Sequence, residues 1–176
     1  MSKLLSYFVI PCITLIFSMQ ASLTQENFTR IANNNHHHLS LFLWSLISSI
    51  YFYWISKKIF DQYHYHTKTR HILEKIILIF AIVNPLIPYN ETYIHLASLH
   101  TLLSFLASTL FFYIHFLFLF FIQSKDYHLF LVYKQKLLFI LSTISLLILL
   151  FGKINSLIEV LNVIFMCLYL ESLKNY

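Results

Sequence analysis

From Ile94 to Ile122 the chain carries no Asp, Glu, Lys or Arg, a run longer than the about 20 residues a helix needs to cross a bilayer core. One glycine and three prolines in the whole sequence leave few turn signals, so apolar runs of this length must be helices rather than series of short strands. With 59% hydrophobic and 11% charged residues, a single soluble domain of 176 residues could not hide this much apolar surface. A β-sandwich and a porin-like barrel are thereby excluded. The expected class is all-α, a polytopic transmembrane helix bundle.

Six segments are expected to cross: residues 4–23, 39–55, 73–89, 94–122, 137–151 and 154–173, in one integral membrane domain covering 1–176. The first reads as a retained helix rather than a cleaved leader, because further spans follow it. Pro11 is expected to kink it. Asn90-Glu91-Thr92 joins the third and fourth spans as antiparallel neighbours, and Gly152-Lys153 alone separates the fifth from the sixth. Of the 12 Lys and Arg residues, only Arg30 and Lys153 fall on the predicted outer side, which places both termini in the cytoplasm. The bias toward Phe, Ile, Leu, Lys and Asn suggests an AT-rich coding sequence and a bacterial cytoplasmic membrane. Nucleic acid is not an implied partner. Cys12 and Cys167 sit in apolar runs without metal-ligand spacing and read as small packing residues.

Polar residues inside the spans show which faces are turned away from lipid. At 100° per residue, His100, Ser104, Ser108 and His115 lie within about 80° of one another on the fourth span. His38, Ser45, Ser49 and Ser56 share a face on the second, and Asn155, Glu159 and Asn162 follow at spacings of four and three on the sixth. Glu159 should lie about one turn inside the outer boundary, level with His36 to His38, Glu91, His95 and His100. These residues predict an outward-facing polar cavity formed by His38, Glu91, His95, His100, Ser104, His115, Asn155, Glu159 and Asn162. The plainer reading of each serine stripe is packing, since hydroxyls in membrane helices bond their own backbone.

Three functions fit such a cavity. The leading one binds a membrane lipid or a partner helix, from another membrane protein or a second copy, with no cofactor. In a second, His36, His37 or His38 would join His95 and His100 around zinc for lipid hydrolysis, with Glu91 or Glu159 activating water; no HExxH pattern supports it. In a third, Glu159 and His115 titrate along the path of a small proton-coupled carrier.

Two stretches carry a family resemblance. TQENFTRIANNNHHHLSLFLW is similar to an outer-loop pattern of Ser or Thr, a small gap, Asn and an aromatic helix start. PLIPYNETYIHLASLHTLLSFLA resembles a pattern of aromatic-proline turn, short loop, Leu-His and small residues. Both patterns occur in the DRAM-like and Frag-like superfamily of six-helix membrane proteins and its bacterial relatives. The resemblance matches His100 to the family histidine, Pro88-Tyr89 to the turn and Asn33 or a neighbouring asparagine to the loop asparagine, and departs from it at Ala32, where glycine is expected. It implies a six-helix fold more than a function.

Overall fold

The computed structural model describes residues 2–20, 22–34, 38–87, 89 and 93–174, and they form helices joined by turns and short loops, with no strand among them. Helix α1 is continuous through Ser2–Leu4, a π turn at Leu5–Val9 and Ile10–Ser18. It is followed by α2 (Phe28–Asn34), α3 (His38–Gln62), α4 (Lys68–Val83, closed by a 3-10 turn at Asn84–Leu86), α5 (Ile94–Gln123), α6 (Tyr127–Phe151) and α7 (Ser156–Lys174). Helices α3, α5, α6 and α7 are long and apolar enough to cross a membrane; α1 and α4 are shorter.

Several boundaries differ from the expected spans because charged residues ride on the helices. α3 continues past residue 55 through Lys57 and Lys58, and Lys58 lies 5.5 Å from the Trp54 ring. α6 begins well before residue 137. Its Asp126 cap accepts a hydrogen bond from Leu129 N (2.9 Å), and Lys134 and Lys136 fold their stems over Phe130 and Tyr133. α4 starts at Lys68, five residues before the expected span, on a Thr67 cap that accepts from Arg70 N. α1 ends at Ser18, short of residue 23. Around Pro11, which cannot donate, the π turn widens the helix so that Ile10 N donates to Leu5 O. Gly152, at φ +67, takes the left-handed position that ends α6, so α6 and α7 are separate helices as the Gly-Lys turn predicts.

Neighbouring helices close a ring in the order α1, α3, α4, α5, α6 and α7, with α7 back against α1 and α3 touching α7 across it. Most of the core lies at the end carrying the basic loops, where Ile55, Ile59 and Phe60 meet Ile114, Phe118 and Ile122, with Tyr133, Met166 and Leu170 behind them. A smaller cluster of Phe17, Phe28, Ile31, Leu41 and Val160 closes the opposite end. Between the two cores, α3, α4, α5 and α7 do not fill the space they enclose.

Two buried polar networks brace the basic end. Arg70, fully buried, donates from Nε to Glu74 Oε1 (2.9 Å) and from Nη1 to Tyr65 O (2.7 Å), and pairs with Asp61 at 2.8 Å. Ser6, in the π turn, donates to Glu171 Oε2 (2.9 Å), which leaves the Tyr51 hydroxyl to donate to Ser6 Oγ (2.6 Å). Truncating Ser6 therefore strips one donor from a fully buried carboxylate. Ser6→Ala is expected to destabilise the protein by about 1–3 kcal/mol, read as a lower unfolding midpoint in detergent; an unchanged midpoint would show that the remaining contacts of Glu171, Lys174 at 3.1 Å among them, suffice.

Candidate functional site

The unfilled space is a cavity of about 280 Å³. Its α3 wall extends from Leu41 to Phe60, about 28 Å at 1.5 Å per residue, so the cavity is long and narrow. α4 contributes Glu74 through Pro85, α5 contributes His100 through Ile114, and α7 contributes Glu159, Asn162, Val163 and Met166.

Local structure explains how each polar group reaches it. The chain between α1 and α2 lies across the start of α7: Ser156 N donates to Glu26 O (2.7 Å) and Leu157 N to Leu23 O (2.9 Å). Helix-start amides that would otherwise lack partners are satisfied by that loop. Glu159, one turn on, accepts from Phe28 N of α2 at 2.7 Å. The next residue, Thr29, lies 3.1 Å through Oγ1 from His100 Nε2. His100 Nδ1 donates to Ile87 O (2.9 Å), which fixes the tautomer and makes Nε2 the acceptor of the Thr29 hydroxyl proton. Two consecutive residues of α2 thus link Glu159 and His100.

Polar groups further along are partly committed. Ser45 donates to Ala81 O (2.7 Å), Asn84 Nδ2 to Ser104 Oγ (2.7 Å) and Ser108 to Ser104 O (3.0 Å). Four buried side-chain atoms have no partner among the described residues: Ser48 Oγ, Asn84 Oδ1, Asn162 Oδ1 and Tyr169 Oη. The first three belong to residues that line this cavity. An unpaired buried polar group costs about 1–3 kcal/mol, so three on residues that line one cavity are a local cost that packing of the described residues does not offset.

Of the residues expected at the cavity, His100, Ser104, Glu159 and Asn162 line it. The other described ones lie elsewhere. His38 and His95 are exposed in the first turns of α3 and α5, beyond the cavity's end. Asn155 caps α7, accepting from Ile158 N and donating to Thr24 O (3.2 Å). His115 shares the α5 stripe but is fully buried behind the cavity wall: its Nδ1 donates to Phe111 O (2.8 Å), its Nε2 lies 3.4 Å from Ser56 Oγ, and its ring lies against Phe60 and Tyr169. Glu91, His36 and His37 lie outside the described residues. Among the described residues no three His, Cys, Asp or Glu side chains stand close enough to hold a metal ion.

Ser48, Asn84, Thr29 and Trp44 were not anticipated. Ser48 had a signal in its adjacent pair with Ser49, and Asn84 in being an amide at the end of an apolar run just before a proline. Trp44 joins Phe17 and Phe28 in an aromatic cluster and donates from Nε1 to Thr14 Oγ1 (2.9 Å). No protein-family model, curated protein or solved structure matches this chain.

Proposed function

We propose that the chain is an integral membrane protein that holds an elongated membrane amphiphile, a lipid or lipid-like molecule, in the cavity between α3, α4, α5 and α7. The observation carrying this reading is that Ser48, Asn84 and Asn162, each with a buried oxygen unpartnered among the described residues, all line one cavity. The walls between them are apolar, with Phe52, Ile77, Leu78, Phe111 and Phe112, and suit a chain bearing a few hydrogen-bonding groups. The zinc hydrolase has less support, because His38 and His95 are exposed and both ring nitrogens of His100 are already engaged. Mass spectrometry of lipids retained by the purified protein tests the reading. The wild type should keep a stoichiometric amphiphile that Ser48→Ala/Asn84→Leu/Asn162→Leu loses; identical lipid profiles would contradict it.

In this proposal α1 and α4 also cross, giving six spans with both termini in the cytoplasm, as the distribution of Lys and Arg favours. The cavity end at Glu159 and His100 then faces outward. With Cys12 and Cys167 replaced by serine and alanine, Lys153→Cys should react with an impermeant maleimide on intact cells, and Lys125→Cys only after permeabilisation. The reverse pattern would invert the topology.

A further inference from the structure

Beside hydroxyls such as Ser49 and Tyr53, which can donate or accept, the cavity is lined by residues that carry uncommitted amide and carboxylate oxygens. Asn84 Nδ2 is spent on Ser104, so what remains of that amide is its oxygen. Asn162 Oδ1 is likewise unpartnered, and so is Ser48 Oγ, on a side chain only 4% exposed. Two carboxylates also line the cavity, in different states. Glu74, at the basic end, is paired with buried Arg70. Glu159, at the other end, takes one hydrogen bond from Phe28 N, and among the described residues no Lys, Arg or His stands within ion-pairing distance of it. No lysine or arginine lines the cavity among the described residues.

A carboxylate in a low-dielectric space without a counter-ion is costly, and cations or donors are the ligand groups that relieve it. The wall beside Glu159 suits a cation in a second way. Phe28 and Trp44 both line it, their rings packed edge to face with centroids 4.7 Å apart, and aromatic faces attract ammonium groups. Asn162, three residues after Glu159 on α7, adds its amide oxygen on the same helix face.

We propose that the ligand is a cationic amphiphile: a protonated amine or quaternary ammonium head seated among Glu159, Asn162, Phe28 and Trp44, with an alkyl chain along Phe52 and Phe111 toward the basic end. This rests on the cavity being a ligand site, so the test must separate failure of the charge assignment from failure of the cavity.

The probes are octylammonium, octanol and octanoate, which share a chain and differ in head-group charge, applied to the full chain in nanodiscs of zwitterionic lipid. In a Trp54→Phe background, Trp44 is the remaining tryptophan and reports from the cavity wall. Saturable change in its emission should appear with octylammonium at a concentration at least about 10-fold below that needed for octanol, with octanoate weakest, as expected for a desolvated ion pair. Glu159→Gln should erase that preference while leaving octanol binding in place. Equal binding of octylammonium and octanol, or a preference that survives Glu159→Gln, overturns the charge assignment. Saturable octanol binding that Ala107→Phe abolishes would, in that case, leave the cavity standing. Absence of saturable binding by all three probes overturns both.

Discussion

Arg70→Met lowers the stability of the protein by about 3–5 kcal/mol, the cost of leaving a buried charge without its partner. Glu74 is 6% exposed and Arg70 fully buried, and the titratable neighbour that Glu74 would keep is the exposed His71, 3.6 Å from Oε2. The same side chain donates to Tyr65 O and packs over the Phe60 ring at 5.2 Å, tying α4 to the end of α3. Most of the loss is electrostatic, so the double change Arg70→Met/Glu74→Leu should recover the larger part of it, since a buried pair replaced by apolar groups is often close to neutral. Unfolding midpoints in detergent read both values. A double variant no more stable than the single one would show that the contacts to Tyr65 and Phe60, rather than the ion pair, hold this corner together.

Ala107→Phe separates a built cavity from a packing defect, because it moves stability and ligand retention in opposite directions. Ala107 lines the cavity from α5, next to the Ser104 and Ser108 turn. A ring placed there fills empty space, and filling a cavity typically stabilises a protein by about 0.5–2 kcal/mol. It also occludes the path between Glu159 and Phe111. The variant should unfold at a higher temperature when stripped of amphiphile, yet bind octylammonium at least about 10-fold more weakly. Ala97→Phe, on the same helix but away from the cavity, should leave binding unchanged. If Ala107→Phe binds as the wild type does, the probe sits elsewhere.

What could be read from the sequence was the face a residue occupies, and what could not was the depth at which that face meets packing. His100, Ser104, Ser108 and His115 do share a stripe of α5, but the stripe crosses two environments. Toward its start it faces the cavity; His115, fully buried, packs behind the lining residues Phe60 and Phe111 and against Tyr169. His38 and His95 fail for a related reason. They are exposed in the first turns of α3 and α5 and are not among the residues that line the cavity. Asn84 was hidden by its position after the last α-helical turn of α4, where an amide ordinarily serves as a cap. The 3-10 turn it starts instead directs its Nδ2 to Ser104. The role of α2 was not readable at all, because seven residues with no apolar periodicity give no hint that Phe28 and Thr29 connect Glu159 to His100.

The most direct test of the central claim is an experimental structure of the full chain, crystallised from a lipid mesophase without added ligand, in which density between α3, α4, α5 and α7 is inspected. The account predicts elongated density within hydrogen-bonding distance of Ser48 Oγ, Asn84 Oδ1 and Asn162 Oδ1. A collapsed interior, with those three atoms paired to protein donors and no space left between the helices, would contradict it.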